Sequence, residues 1–248
     1  MTDTTPTALI TGASRGIGLG IASSLARKGY GLTISARDPD RLAVVAHELS
    51  AAGAADVLTV AADMADADGV QTLLDAHAQR FGTLSALILN AGVGTAGPLA
   101  DASLHRFDKT FAVNLRAPVQ LIQQALPLLR AGADLAPERG AKVIALSSIT
   151  GVYAEAGLAA YGAAKAALIS LFATLNAEES GNGITATTIA PGYVDTDMSA
   201  WIHDRIAPEQ MLAVSDVVEM VDSLLRLSSR AVVSNIVMSR AGTSGYSA

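Results

Sequence analysis

Short runs of β-branched and aliphatic residues alternate with longer, alanine-rich amphipathic segments along the whole chain. The short runs predict strands at Thr7–Ile10, Leu32–Ser35, Val57–Ala61, Ala86–Leu89, Lys142–Leu146, Thr185–Ile189 and Ser234–Met238. The longer segments predict helices near Ile17–Arg27, Pro39–Ala51, Ala67–Arg80, Leu104–Leu129, Ala159–Glu179 and Asp216–Leu227. Strand–helix–strand units pair in parallel through right-handed crossovers. The sequence therefore predicts an α/β protein with a Rossmann-type, doubly wound sheet of about seven parallel strands and helices on both faces.

Nothing in the sequence divides this alternation. No linker rich in Pro, Gly or Ser occurs, so residues 1–248 are predicted to form one domain. Two segments look irregular, Ala131–Ala141 and Gly192–Pro208. Because ligands of such sheets bind beyond the carboxyl ends of the strands, the second segment is expected to cover a site. The first follows a helix and is expected at the opposite edge.

Composition and charge exclude several classes of protein. The formal net charge is −6 and the basic residues are scattered, which argues against a nucleic-acid partner. The chain has no cysteine, and its four histidines lack metal-ligand spacing, so no metal site is expected. The amino-terminal residues lack the pattern of a secretory signal, and no apolar run is long enough for a membrane helix. We expect a cytoplasmic protein without a membrane partner.

A glycine-rich turn follows the first predicted strand and opens the first predicted helix. Its sequence is T-G-A-S-R-G-I-G, from Thr11 to Gly18. Glycines at these places allow a sharp turn and let backbone N–H groups approach a pyrophosphate. A loop without a ligand is the alternative, but the flanking strand and helix favour a dinucleotide-binding site. The turn lacks the Gly-Lys-Ser/Thr of a P-loop, so a kinase or ATPase is not expected.

A tyrosine and a lysine lie four residues apart in a strongly helical stretch, Tyr161 and Lys165. They fall on one helix face, where an ammonium group close to a phenol lowers the pKa of that phenol. Such a tyrosine can transfer protons near neutral pH. An ordinary surface pair is the alternative, but Ser148 at the end of the fifth strand could hydrogen-bond a substrate oxygen nearby. No G-x-S-x-G motif surrounds Ser148, which disfavours a serine hydrolase.

Two asparagines complete the pattern. Asn90 ends the fourth strand at the same predicted edge of the sheet. Asn114 lies inside a long predicted helix, where its poor helix propensity needs a reason.

With these residues in place, the chain resembles the short-chain dehydrogenase/reductase family over essentially its whole length, and among its members the NADP-preferring 3-oxoacyl-ACP reductase-like enzymes. The matching motifs occur in the family's order. They are T-G-A-S-R-G-I-G at Thr11 to Gly18, Asp63-Met64, N-A-G at Asn90 to Gly92, V-N at Val113-Asn114, S-S at Ser147-Ser148, Y-G-A-A-K at Tyr161 to Lys165 and P-G-Y-V-D-T at Pro191 to Thr196.

The resemblance implies four catalytic residues. Tyr161 is the general acid or base, and Lys165 lowers its pKa and holds the nicotinamide ribose. Ser148 positions the reacting oxygen, and Asn114 anchors a water that carries protons outward. The implied reaction is hydride transfer between NADP(H) and a carbonyl or secondary alcohol.

The resemblance also implies a set of NADP-binding residues, which lie in the glycine turn and after the strands. They are Gly12, Ser14, Arg15, Gly16, Ile17, Gly18, Arg37, Asp63, Met64, Asn90, Ala91, Gly92, Tyr161, Lys165, Pro191, Gly192, Val194 and Thr196. The glycine turn would hold the pyrophosphate and ribose, Asp63 and Met64 the adenine, and Asn90 the adjoining ribose. Val194 and Thr196 would reach the nicotinamide carboxamide. For Asp63 a solvated loop acid stays open, as does a turn residue for Asn90.

The choice of NADP over NAD is expected from three positions. Ala36 stands where NAD-preferring relatives usually place Asp, and Arg37 follows it. Arg15 in the glycine turn could approach the same 2′-phosphate. A surface ion pair of Arg37 with Asp38 or Asp40 is the alternative.

The resemblance further implies a homotetramer, with a dimer as the alternative. Relatives pair their fourth and fifth helices, and the Tyr161 helix carries the small residues Ala163, Ala166, Ala167 and Ala173. These alanines could instead pack on the sheet. Ser239-Arg240-Ala241-Gly242 departs from the Asp-Gly-Gly of many relatives, which puts their last-strand subunit contact in doubt.

The expected substrate is a small, neutral and partly hydrophobic carbonyl or alcohol, because the expected lining residues are mostly apolar. These residues are Val93, Ile149, Val152, Tyr153, Ala154, Tyr193, Met198 and Trp201. Acyl-carrier substrates stay open. A non-catalytic NADP-binding sensor or scaffold of the same fold is the alternative function, while chain length and glycine spacing disfavour a sugar-nucleotide epimerase.

Overall fold

The computed structural model describes residues 5–94 and 96–246, and its seven strands form one parallel sheet. The strands are β1 (Thr7–Thr11), β2 (Gly31–Ala36), β3 (Asp56–Ala61), β4 (Ala86–Leu89), β5 (Ala141–Leu146), β6 (Ile184–Pro191) and β7 (Asn235–Met238). Their order in the sheet is β3-β2-β1-β4-β5-β6-β7. The order reverses between β1 and β4, and a crevice at such a switch point is where doubly wound sheets bind ligands. The predicted fold class is confirmed.

Helices cover both faces of this sheet. They are α1 (Gly16–Arg27), α2 (Pro39–Ala51), α3 (Ala67–Phe81), α4 (Leu104–Phe111), α5 (Ala117–Leu135), α6 (Ala159–Glu179) and α7 (Val214–Arg226). Successive strand residues point to opposite faces. Leu9 accordingly packs with α3, α5 and α6, whereas Ile10 packs with α1, α2 and α7. The core is built mainly from aliphatic side chains, with Phe172 as its largest fully buried side chain.

The prediction of one continuous helix over Leu104–Leu129 is wrong in one respect. A π-helical turn at Ala112–Arg116 separates α4 from α5 and contains Asn114. The Asn114 side chain accepts a hydrogen bond from Val93 N at 3.0 Å and donates one to Val93 O at 2.7 Å. A π turn adds one residue to a helical turn and occurs frequently at functional sites. Here it accompanies an asparagine that holds the chain after β4.

The prediction that Ala131–Ala141 is irregular is also wrong in part, because α5 continues to Leu135. Gly132 lies buried within α5 and does not break the helix. A Cβ there would lie 2.3 Å from the carbonyl oxygen of Leu84. Glycine thus allows α5 to approach the segment before β4. The helix ends shortly before Pro137, which cannot continue it. The remaining loop enters β5 at its amino end, on the predicted edge. The segment Gly192–Pro208 is irregular as predicted, with a short 3-10 turn at Ala200–Ile202.

Candidate active site

A cleft of about 890 Å³ lies at the carboxyl edge of the sheet. It is bounded by the ends of the strands from β1 to β6, by α6 and by the irregular segment after β6. Most of the predicted site residues line it, namely Gly12, Ser14, Arg15, Gly16, Ile17, Arg37, Asp63, Met64, Asn90, Ala91, Gly92, Ser148, Tyr161, Lys165, Pro191, Gly192, Val194 and Thr196.

Two predicted residues, Gly18 and Asn114, are not part of the lining. Gly18 packs behind the glycine turn, where a Cβ would lie 2.3 Å from the carbonyl oxygen of Gly12. Asn114 lies behind Val93. Its side-chain amide hydrogen-bonds both the backbone N–H and the carbonyl oxygen of Val93. Both residues therefore shape the cleft from behind and do not line it.

The glycine turn leaves room for an anionic group. Gly12 and Gly16 have φ of +67° and +54°, which residues with a Cβ rarely adopt. A Cβ on Gly12 would also lie 2.9 Å from Asn90 Nδ2. The first turn of α1 has no side-chain cap and no acidic residue, so its N–H groups are available to a phosphate. These features fit a dinucleotide pyrophosphate.

Hydrogen bonds fasten this turn to the end of β4. Thr11 Oγ1 accepts from Asn90 N at 3.1 Å and from Ala91 N at 3.0 Å. The Asn90 amide donates to the carbonyl oxygens of Thr11 and Gly12, both at 3.0 Å. Asn90 therefore positions the turn through its NH₂ group. Its proposed contact with a ribose stays a prediction.

Ser148, Tyr161 and Lys165 occupy the opposite half of the cleft. Ser148 Oγ caps a 3-10 turn by accepting from Thr150 N at 3.2 Å and from Thr150 Oγ1 at 2.9 Å. Tyr161 lies in the first turn of α6, with the Ser148 hydroxyl close enough to lower the pKa of its phenol. Ser147 Oγ donates to Lys165 O at 3.0 Å and so ties α6 to the end of β5. The serine and tyrosine predicted to act together thus line the same part of the cleft.

The electrostatics of this group differ from the sequence-based expectation. Burial raises the pKa of Tyr161, and the hydrogen bond with Ser148 acts against that rise. Lys165 Nζ donates to Leu146 O at 2.7 Å and lies 5.6 Å from the centre of the Tyr161 ring. Burial lowers the pKa of Lys165 to about 8. The expectation that Lys165 lowers the pKa of Tyr161 is not met, because its ammonium is directed to a carbonyl group and Ser148 contacts the phenol.

Arginines surround the end of the cleft near β2. Arg37 is exposed and, within residues 5–94 and 96–246, pairs with neither Asp38 nor Asp40. Asp38 instead caps α2. Arg15 forms an exposed ion pair with Asp197 at 3.0 Å, which joins the glycine turn to the segment after β6.

Sequence reasoning missed Arg41 at this end. Its Nε donates to Ser14 O at 3.3 Å, which places a third guanidinium group beside the turn. The spacing of Arg37 and Arg41 at the start of a helix was the available signal.

The sequence predicts only some of the residues that line the end of the cleft away from β2. Val93, Tyr193, Met198 and Trp201 line the cleft, whereas Ile149 is buried in the core. Val152, Tyr153 and Ala154 are not among the lining residues, because the chain turns away from the cleft after Thr150 and returns to it at Glu155. Glu155 was missed because a single loop carboxylate carries no spacing signal.

Two kinds of feature are absent from the described parts of the chain. No helix there is both long and apolar enough to cross a membrane. No cluster of three or more His, Asp or Glu side chains there has the arrangement of a metal site.

Known proteins are similar to this chain in sequence and in architecture. The family model for short chain dehydrogenase matches residues 6–206. The chain belongs to the short-chain dehydrogenase family. It is 34% identical to the 3-oxoacyl-[acyl-carrier-protein] reductase FabG of Staphylococcus aureus over 209 residues. This alignment covers 84% of this chain and 82% of FabG. The predicted family and the class of enzyme, an oxidoreductase, are confirmed.

Solved structures agree in fold. An alcohol dehydrogenase from the archaeon Thermococcus sibiricus, complexed with 5-hydroxy-NADP, has a TM-score of 0.86 at 28% identity over 98% of both chains. An NADH-dependent reductase responsible for alginate metabolism has a TM-score of 0.83 at 26% identity, covering 96% of this chain and 97% of that one. Because both cofactors occur among similar folds, the choice between them depends on individual residues.

The buried lysine gives a test of the site's electrostatics that does not need turnover. Since the pKa of Lys165 is about 8 in the folded protein and 10.5 ordinarily, the unfolded chain binds more protons between those pH values. Lys165 should therefore increase the free energy of unfolding as the pH rises from 8 to 10.5. Urea unfolding across that range should show a smaller gain for Lys165→Met than for wild type.

Lys142 offers the matched control, because burial lowers its pKa to about 8 as well, at the other edge of the sheet. Lys142→Met should remove a separate part of the gain, and the double variant should remove both. An unchanged gain in Lys165→Met would show that Lys165 keeps its ordinary pKa.

Proposed function

We propose that this chain is an NADP(H)-dependent oxidoreductase that interconverts a carbonyl and a secondary alcohol, with Tyr161 as general acid and base. The observation that carries the proposal is one continuous cleft that joins the glycine turn to the contact between Ser148 and Tyr161. When bound, NADPH would supply the hydride for the carbonyl carbon. The glycine turn, the ends of β3 and β4 and the segment after β6 would hold it, through the residues predicted above.

The protein's own residues would position the oxygen and move the proton. Ser148 donates a hydrogen bond to the reacting oxygen, and Tyr161 delivers a proton to the same atom during reduction. Alcohol oxidation reverses these steps. Lys165 keeps N–H groups beyond the one it gives to Leu146 O, and these are available to a ribose hydroxyl.

Asn114 requires a modified role. Both the oxygen and the nitrogen of its side-chain amide are hydrogen-bonded to Val93. Because the side chain is occupied in this way, a water anchored at this position would be held by the backbone of the π turn. The side chain then fixes the wall of the cleft after β4.

Preference for NADP is supported by the three arginines near β2. A 2′-phosphate attracts guanidinium groups, whereas the 2′-OH of NAD attracts a carboxylate, which Ala36 does not supply. No acidic side chain within residues 5–94 and 96–246 pairs with Arg37, and Arg41 lies beside Ser14. The exposed pair of Arg15 with Asp197 is worth only ~0–1 kcal/mol, so a phosphate can compete for Arg15.

The general-acid role is tested by Tyr161→Phe, which removes the proton donor and keeps the ring. We expect turnover to be lost while NADPH affinity, measured by fluorescence titration, stays nearly unchanged. Tyr246→Phe is the matched control, because Tyr246 is exposed and outside the cleft. Activity of Tyr161→Phe within about tenfold of wild type, under ~1.4 kcal/mol of barrier, would remove Tyr161 from the mechanism.

Cofactor choice is tested by the double variant Ala36→Asp, Arg37→Gln. The added carboxylate repels the 2′-phosphate and can accept from a 2′-OH, so the ratio of kcat/KM for NADPH to that for NADH should fall at least about tenfold. Arg41→Gln should lower the ratio in the same direction. Wild-type protein that uses NADH as well as NADPH would contradict the assignment.

We further propose a homotetramer, with a dimer as the alternative. Ala163, Ala166 and Ala173 on α6 are exposed and do not pack on the sheet, which leaves a face for close helix packing. Leu104, Phe107 and Val119 on α4 and α5 are exposed as well. Light scattering at micromolar concentration should give a tetramer mass. A monomer would contradict the proposal, and a dimer would point to the altered carboxyl-terminal residues.

We propose that residues 1–248 act as one dinucleotide-binding and catalytic domain in the cytoplasm, with a small-molecule substrate and no nucleic-acid or membrane partner. The single sheet and the negative net charge support this.

A further inference from the structure

A carboxylate lines the part of the cleft next to the proposed catalytic group. This part, which we call the substrate end, consists of Thr150, Glu155, Leu158, Tyr193, Met198 and Trp201. Glu155 lies in the segment between Ser148 and Tyr161, and Tyr193 follows β6 on the other wall. Most of the remaining surface here is apolar, so an acidic side chain needs a chemical reason.

Glu155 makes incomplete use of its hydrogen-bonding capacity. Its Oε1 accepts from the Tyr193 hydroxyl at 2.9 Å. Its Oε2 is shielded from solvent and has no hydrogen-bond partner within the described residues. A carboxylate can accept about four hydrogen bonds, and a buried acceptor without a partner is costly. Glu155 is nevertheless among the residues that line the cleft, so its carboxylate lies where a bound ligand would be its neighbour.

We propose that Glu155 is a specificity-determining residue that accepts a hydrogen bond from a hydroxyl group of the substrate, so that hydroxylated ketones and the corresponding diols are preferred. This inference rests on the proposed function and names its substrate class. A site built to hydrogen-bond a substrate hydroxyl discriminates strongly against the analogue that lacks it, because its own polar group is then left unpaired.

The surroundings favour a neutral hydroxyl over an ammonium group. Burial and the hydrogen bond to Glu155 raise the pKa of Tyr193, so its hydroxyl remains a donor committed to Oε1. Arg205 and Arg240 act on Tyr193 in the opposite direction, which places two positive charges close to this end of the cleft. A neutral hydroxyl can donate to Glu155 without adding a further charge to this end of the cleft.

The carbon skeleton of the substrate would meet an aromatic wall. Trp201 packs edge-on against Tyr193 with ring centres 6.1 Å apart, and Met198 is exposed beside it. Trp201 is the one tryptophan of the 248 residues. Its fluorescence therefore reports binding at the substrate end separately from turnover.

The test compares hydroxyacetone with butanone, which matches its size, and with methoxyacetone, which keeps the oxygen and is one methyl group larger. Neither analogue can donate a hydrogen bond. Homologues with the hydroxyl one carbon further from the carbonyl extend the series. With NADPH, wild-type kcat/KM should be at least about tenfold higher for one of the hydroxyketones than for its matched analogues. Equal or lower values throughout the series overturn the proposal without any variant. Aminoacetone turned over better than hydroxyacetone would overturn the choice of a hydroxyl.

Glu155→Gln should lower this hydroxyketone-to-ketone ratio at least about tenfold, because an amide oxygen is a weaker acceptor than a carboxylate. Glu178→Gln is the matched control, since Glu178 is exposed on α6 and outside the cleft. An unchanged ratio in folded Glu155→Gln, or an equal loss in Glu178→Gln, overturns the role of Glu155.

Titrations of Trp201 fluorescence in the presence of NADP separate this inference from the proposed function. Tighter binding of hydroxyacetone than of butanone, without turnover of either, would support the subsite and contradict the reaction. Turnover of both ketones that depends on Tyr161, without a hydroxyl preference, would support the reaction and overturn the subsite.

Discussion

The close contact between the glycine turn and the end of β4 is the constraint on which the rest of the site depends. Gly18 lies so near the carbonyl oxygen of Gly12 that no side chain fits between them, and Asn90 ties the same carbonyl to β4. This contact lies where the strand order reverses, between β1 and β4. It aims the open first turn of α1 into the cleft. The same short segment thus fixes both the sheet and the place where a phosphate can bind.

From that contact the cleft continues to the ends of β5 and β6, and each neighbouring strand supplies a wall. The parallel arrangement brings residues far apart in sequence to one edge, because all carboxyl ends lie on the same side. Ser147 then fastens α6 to β5, which sets the distance between Ser148 and Tyr161. The proposed chemistry therefore depends on strand order and helix anchoring more than on any single loop.

The sequence predicts the strands well, because buried parallel strands are continuous aliphatic runs bounded by turns. It predicts the helix at Asn114 less well, because a π turn is stabilised by a contact with Val93 that no local pattern reveals. Gly132 resembles a helix breaker in sequence and is instead a point of close packing on Leu84. Glu155 escapes prediction because its significance arises only from Tyr193, which lies 38 positions further along the chain. What periodicity and motifs cannot supply is the set of partners that a side chain meets across the fold.

The electrostatics of the site have a consequence for the direction of proton transfer. Burial raises the pKa of Tyr161 and lowers that of Lys165, so both shifts favour uncharged groups. A neutral phenol is the form that can protonate a carbonyl oxygen, whereas alcohol oxidation needs the phenolate. The hydrogen bond from Ser148 opposes part of the effect of burial on the pKa of Tyr161. With Tyr161 as the proposed general acid and base, its neutral phenol is the form present near neutral pH, and alcohol oxidation should gain as the pH rises towards the pKa of Tyr161.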